Sequence, residues 1–124
     1  MTTSQNFIQN IKAPISQVYL ACINATLLRE WFCDIATTKP SPGGRFYVSW
    51  NNNYYVTGDF ISLEKDSNIA LNWLGRDDPG KTRVVIALSQ SNNITKIEIE
   101  HSGIGATSEW EKPLQEITKG WQSG

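Results

Sequence analysis

The sequence predicts an α+β domain in which a curved antiparallel sheet packs against a terminal helix. Three observations lead to this class: helical spacing follows the first extended segment, alternating apolar residues then recur between turn signals, and helical spacing returns at the end. With 124 residues and a hydrophobic content of 40%, the chain can form one core. We therefore expect a single domain over residues 1–124.

The first elements are a strand and two short helices. Residues 4–11 read as the strand, and Ala13-Pro14 ends it, with proline suited to the first position of a helix. Asn24 separates two apolar stripes of helical spacing and can cap the second helix. The stripes contain Ile15, Val18, Tyr19, Cys22 and Ile23 in the first helix, and Leu27, Leu28, Trp31, Phe32 and Ile35 in the second.

The middle of the chain predicts an antiparallel meander, which brings the sheet to about six strands. Turn residues at 40–44, 51–53, 77–80 and 92–93 separate the alternating segments. Gly58 lies inside one of these segments and indicates a bulge or bend, which would curve the sheet.

The last predicted element is an amphipathic helix. Its large residues, Trp110, Leu114, Ile117 and Trp121, stand at helical spacing and form one seam. This helix is expected to cover the concave face of the sheet. Because a bent sheet and a single helix rarely fill the space between them, we expect an apolar cavity there.

Charge and cysteine content exclude several classes of function. Eleven basic residues against 12 acidic ones, without a dense basic run, offer no surface for nucleic acid or an anionic membrane. The chain shows neither a secretion signal nor a membrane-spanning run, so we expect a cytoplasmic protein without membrane insertion. Cys22 and Cys33 lack the spacing of metal ligands, so they are expected to be buried reduced thiols, with no metal and no cofactor.

Five tryptophans and a single histidine favour a binding container over acid–base chemistry. The expected lining of the cavity is Trp31, Phe32, Phe46, Trp50, Phe60, Trp73, Ile86, Ile99, His101, Trp110 and Trp121. His101 falls on the inward phase of its strand, where it can be a structural histidine or can fix the polar head of a ligand. Arg45 and Arg76 can pair with a ligand carboxylate at the mouth or remain solvated. No catalytic residue is assigned.

Short motifs spread over nearly the whole chain resemble the START-like (SRPBCC) superfamily, and most closely its branch similar to the activator of the heat-shock protein 90 ATPase. They are Ile11-Lys12-Ala13-Pro14, Leu27-Leu28-Arg29-Glu30-Trp31-Phe32, Pro42-Gly43-Gly44-Arg45-Phe46, Gly58-Asp59-Phe60, His101-Ser102-Gly103 and Gly120-Trp121. The resemblance implies a helix-grip fold with a hydrophobic pocket between the sheet and the terminal helix. It also implies one of three roles: lipid or small-molecule binding, co-chaperone work in the stress response, or cyclase-type chemistry.

The leading hypothesis is therefore binding of a hydrophobic small molecule. The alternative is a protein-interaction domain of the co-chaperone type, and the third is a cyclase or hydrolase that uses His101. In the family the terminal helix continues well past the pair that matches Gly120-Trp121. Two alternatives follow: either the sequence is a fragment of a longer chain, or a chain ending at Gly124 has a short final helix and exposes apolar sheet surface. In the second case we expect it to associate with itself, a chaperone or another protein.

Overall fold

The computed structural model describes residues 2–51, 53–76, 78 and 80–105. The predicted terminal helix, with Trp110, Leu114, Ile117 and Trp121, lies outside the described residues. The elements are β1 (Thr2–Ile11), α1 (Ile15–Ile23), α2 (Ala25–Trp31), β2 (Ile35–Thr38), β3 (Arg45–Ser49), β4 (Tyr55–Glu64), β5 (Asn68–Gly75), β6 (Thr82–Ser91) and β7 (Ile94–Gly105).

The described strands form one antiparallel sheet of seven strands in the order β1-β7-β6-β5-β4-β3-β2. Strands β2 to β7 follow each other as a meander, and β1 joins the far side of β7. Because β1 and β2 lie at opposite edges, the connection through α1 and α2 has to cross one face of the sheet. The predicted α+β helix-grip class is confirmed, with one strand more than expected.

The additional strand is β2, and it corrects the prediction that Ile35 belongs to the second helix. That helix ends at Trp31, and the Asp34 backbone N–H donates to the Ser49 carbonyl at 3.0 Å. The Asp34 carboxylate also accepts the Asn51 backbone N–H at 2.7 Å. These bonds direct the chain onto β3, where Ile35 is 57% exposed as an edge-strand residue. Ile35 stands at helical spacing from the apolar residues of α2, but it lies outside that helix.

Both helices begin at capped ends, but only one cap is local in sequence. The Asn24 side chain accepts the Leu27 N–H at 3.1 Å, which confirms the predicted cap of α2. Pro14 precedes α1 in extended conformation, one position earlier than predicted, and it has no side-chain acceptor. The Gln90 side chain on β6 supplies the acceptor and receives the Ile15 N–H at 2.7 Å.

Neither helix of the described residues has the length and hydrophobicity that a bilayer span requires.

The hydrophobic core lies on the sheet face that the helices cross. The inward residues of β3 to β7 alternate as the sequence predicts and are buried: Phe46, Val48, Val56, Phe60, Ile69, Leu71, Trp73, Val84, Ile86, Leu88 and Ile97. Alternation with period two therefore places one apolar face against the helices.

Gly58 lies at a place of close backbone approach. A Cβ at this position would overlap the Asn72 carbonyl oxygen on β5, so only glycine fits without displacement. The register shift between β4 and β5 falls between Phe60 and Ser62, a little after the glycine. The predicted irregularity of this strand is confirmed, while the bulge itself is displaced toward the strand end.

Candidate ligand cavity

A cavity of about 1050 Å³ lies between the helical pair and the sheet. The sheet contributes inward apolar side chains from several strands: Phe7, Ile11, Phe46, Leu71, Trp73, Val84, Ile86, Ile97 and Ile99. The helices contribute Val18, Leu20, Ala21, Cys22, Leu27, Leu28, Trp31 and Phe32. The volume is at the upper end of the range of small-molecule sites, about 300–1000 Å³.

Aromatic contacts form two parts of the wall. Trp31 and Phe32 lie with ring centroids 5.1 Å apart at the end of α2, and Phe46 and Trp73 lie 5.9 Å apart on the sheet. Trp31 is 46% exposed, and its indole Nε1 donates to the Ala21 carbonyl at 2.9 Å. This bond joins α2 to α1 and holds an indole ring at the mouth of the cavity.

The polar side chains in the described wall are few. Asn6 and Gln9 come from β1 and Gln17 comes from α1. Cys22 also lines the cavity, and burial raises the pKa of its thiol to about 12, so the thiol is neutral at physiological pH. None of the described lining residues carries a formal charge. The described part of the wall therefore offers dispersion contacts and neutral hydrogen bonds.

Six predicted lining residues do surround the cavity: Trp31, Phe32, Phe46, Trp73, Ile86 and Ile99. Trp110 and Trp121 lie outside the described residues. Trp50, Phe60 and His101 are not in the wall, which corrects their predicted placement.

Trp50 and Phe60 form a second layer behind lining residues. The indole Nε1 of Trp50 donates to the Phe32 carbonyl at 2.6 Å, and its ring lies 5.3 Å from the Phe32 ring. Phe60 is 1% exposed, and its ring packs in a T-shaped arrangement with the Phe46 ring, the centroids 5.8 Å apart. Both face inward, as alternation predicts, but another ring separates each of them from the cavity.

His101 is also one layer too deep to contact a ligand. Its ring is fully buried, 5.6 Å from the Trp73 ring, and its Nε2 lies 2.6 Å from Thr82 Oγ1. Thr82 Oγ1 also lies 3.0 Å from the Trp73 carbonyl oxygen, so the hydroxyl connects the histidine ring to the backbone of β5. Burial lowers the pKa of His101 to about 4, which keeps the ring neutral. The geometry favours the structural role over the ligand-binding one.

The two candidate arginines are engaged elsewhere. Arg45 lies over the Tyr47 ring at 5.6 Å, on the face opposite the cavity. Arg76 donates from Nη1 to the Asn53 carbonyl at 2.9 Å and lies over the Tyr54 ring at 5.8 Å. Neither lines the cavity, so neither is placed to pair with a ligand carboxylate.

Sequence reasoning missed the contribution of β1 and of the polar side of α1. Gln9 pairs with the buried Ile97 and therefore shares the inward face of the sheet with Phe7 and Ile11. Gln9 stands at an inward position between the apolar Phe7 and Ile11, and this break in the apolar alternation could have indicated a polar residue in the wall. Gln17 carried no such signal, because its neighbourhood is set by how α1 crosses the sheet.

Comparison with known proteins agrees with this architecture. Residues 12–123 match the model of a family described as activator of Hsp90 ATPase homolog 1-like protein. The chain belongs to this family. The search of curated proteins finds no match.

Solved structures show the same fold as this Hsp90-activator-like domain. CalU16 from Micromonospora echinospora is 25% identical with a TM-score of 0.75, over 96% of this chain and 69% of that one. An HSP90 activator from Plasmodium falciparum is 22% identical with a TM-score of 0.82, over 95% of this chain and 86% of that one. The Aha1 dimer from Colwellia psychrerythraea is 16% identical with a TM-score of 0.79, over 97% and 90%.

Proposed function

We propose that this domain binds a hydrophobic small molecule in the cavity between the sheet and the α1–α2 pair. The observation that carries the proposal is an apolar cavity of about 1050 Å³ whose described wall includes four aromatic rings of the core and mouth, those of Trp31, Phe32, Phe46 and Trp73. Rings of this kind bind flat or chain-like apolar molecules through dispersion and burial of surface. The buried His101 and the partly buried Trp50 pack behind the wall and stiffen it.

A titration with the neutral fluorophore N-phenyl-1-naphthylamine tests the proposal. We expect saturable binding of one fluorophore per chain with a micromolar dissociation constant, about −8 kcal/mol. Ala21 on α1 lines the cavity, so the ring of Ala21→Phe should obstruct the binding space and abolish the fluorescence increase.

The matched control places the same substitution outside the cavity. Ala87 lies on β6 between the inward residues Ile86 and Leu88, and so faces the other side of the sheet. Ala87→Phe should bind the fluorophore like the wild type. Equal binding by both variants, or no saturable binding by the wild type, would refute a ligand site in this cavity.

A second candidate function, a protein-interaction domain, is favoured by the opposite face of the sheet. Tyr47 and Tyr55 stack there at 6.2 Å, Arg45 lies over Tyr47, and the edge residue Ile35 belongs to the same face by register. Tyrosine and arginine are enriched at protein interfaces. The family description and the HSP90 activator from Plasmodium falciparum support a chaperone of the Hsp90 class as the partner. Self-association through exposed sheet surface stays a prediction.

An ATPase assay separates the two candidates. If the second holds, the chain should stimulate an Hsp90 ATPase, and Tyr47→Ala with Tyr55→Ala should remove the stimulation while fluorophore binding persists. Stimulation that survives both substitutions would exclude this face.

Two further points concern location and catalysis. Cys22 and Cys33 are free thiols, which supports a reducing compartment, and we propose the cytoplasm. The cyclase or hydrolase hypothesis gains no support, because it needs His101 beside the ligand, and His101 lies behind Trp73.

A further inference from the structure

We propose that the ligand of this cavity carries a neutral hydrogen-bonding group, such as a hydroxyl or an amide, which binds the carboxamides of Gln9 and Gln17 at the mouth. This inference rests on the proposed function and adds the chemical class of the ligand. The two residues that bind this group lie on β1 and α1.

Two elements bring these carboxamides to the same cavity. Gln9 faces the helix side of the sheet because it pairs with Ile97, whose side chain belongs to the core. Gln17 precedes the buried Val18 on α1 and lines the same cavity. Both glutamines are exposed, so they lie where the cavity meets solvent. A bound molecule can therefore keep its polar end at these residues while its apolar part lies against the aromatic wall.

The carboxamide group determines which polar ends fit. Each amide has two donor hydrogens and an acceptor oxygen, and a hydroxyl or amide of the ligand can satisfy both kinds of partner. Within the described residues, neither glutamine side chain hydrogen-bonds to the protein, so both are available to a ligand.

A charged end group fits this site poorly. An ionised carboxylate or ammonium would lose part of its hydration here, and the described wall would offer it only neutral dipoles in return. Arg45 and Arg76, the cations that could have compensated a carboxylate, stack on Tyr47 and Tyr54 instead. We therefore expect the site to discriminate by charge among molecules with the same apolar body.

Displacement of N-phenyl-1-naphthylamine by decanol, decanoate and decylamine near neutral pH measures this discrimination. The three probes share one alkyl chain and differ in end group. We expect decanol to displace the fluorophore at a concentration at least about tenfold lower than decanoate or decylamine, a factor worth about 1.4 kcal/mol.

Any apolar site favours neutral molecules over charged ones. Charge variants test whether Gln9 itself contributes to the discrimination. Gln9→Lys should improve decanoate relative to decanol about tenfold by providing a counter-charge. Asn10→Lys is the matched control. Asn10 is the next residue of β1 and faces the opposite side of the sheet, and its substitution changes the net charge by the same amount. It should leave the ratio unchanged within about twofold.

A second pair of variants tests the same point from α1. Gln17→Lys should also favour decanoate, while Ser16→Lys, on the exposed adjacent position, should not. The inference is overturned if decanoate displaces the fluorophore as well as decanol does, or if site and control variants change the ratio equally. Failure of the fluorophore to bind the wild type refutes the proposed function instead, so the two failures are distinguishable.

Discussion

His101 is the residue whose surroundings most change the chemistry expected of it. A histidine near neutral pH suggests acid–base work, but this ring is fully buried, hydrogen-bonds to the Thr82 hydroxyl and packs against Trp73. Burial lowers its pKa to about 4. The same burial that removes it from catalysis makes folding sensitive to pH.

We predict that acid destabilises the fold through this residue. The folded-state pKa of about 4 lies below the ordinary histidine value of 6.5, so the unfolded chain binds the proton first as the pH falls. The stabilisation is complete above about pH 6.5 and is lost progressively toward pH 4. Between pH 7 and 4.5 the loss amounts to about 2 kcal/mol of unfolding free energy.

Urea unfolding of the wild type and His101→Gln at both pH values checks this. The difference in unfolding free energy between the two proteins should be about 2 kcal/mol smaller at pH 4.5 than at pH 7. Parallel behaviour of the two proteins would show that another group governs acid unfolding.

Gly58→Ala should lower the unfolding free energy by about 3 kcal/mol, since the added Cβ overlaps the backbone of Asn72. The β4–β5 pairs on either side of this position, Thr57 with Leu74 and Phe60 with Leu71, limit how far either backbone segment can move. Gly80→Ala is the control, because a Cβ there has no heavy atom within 4 Å. Thermal unfolding monitored by circular dichroism compares them, and equal melting temperatures would contradict the clash.

At the scale of elements, α1 depends on a residue from the other half of the chain. The amide groups at a helix start need acceptors, and Pro14 has none in its side chain. Gln90 meets this need from β6, 75 residues away in sequence. The helix is therefore complete only when the sheet is folded.

Gln90→Ala should cost about 1 kcal/mol of unfolding free energy, the usual loss for a removed cap. Gln90→Glu should retain the stability, because a carboxylate accepts the same bond and suits the positive end of the helix dipole. Chemical denaturation of the three proteins measures this. If glutamate fails to restore what alanine removes, Gln90 does not act as the acceptor.

Local signals predicted most elements and missed β2. Asn92 and Asn93 both have positive φ, 50° and 67°, and form the two-residue turn expected between the last two strands. Asparagine tolerates this conformation, so the signal is local and readable. β2 is only four residues long and exists because it pairs with β3, a contact that no periodicity reports.

At the scale of the whole molecule, topology places the cavity. With β1 and β2 at opposite edges, the intervening helices must span the sheet, and α1 contacts β6 and β7 while α2 contacts β2. The described cavity accordingly lies beneath the helical pair. The sequence predicts a cavity beneath the terminal helix, whose residues lie outside those that the structure describes, and it does not report the crossing of α1 and α2.

Ligand binding should raise the stability of the whole domain. At a free concentration of ten times the dissociation constant, N-phenyl-1-naphthylamine should add about 1.4 kcal/mol to the unfolding free energy. For a domain of this size, that is a rise in melting temperature of about 3–6 °C. Calorimetry in the presence and absence of the fluorophore should show the shift for the wild type and none for Ala21→Phe. A shift retained in Ala21→Phe would mean that the fluorophore binds elsewhere.

The sequence alone determined the class of fold, the inward face of each core strand, the cap of α2 and the turns, because each depends on neighbouring residues and on the periods of strand and helix. Only the tertiary structure decided which inward residues reach the cavity. Trp73 does and His101 behind it does not; Gln9 does and Phe60 does not. Alternation reports the direction of a side chain, whereas its depth depends on what distant segments place in front of it.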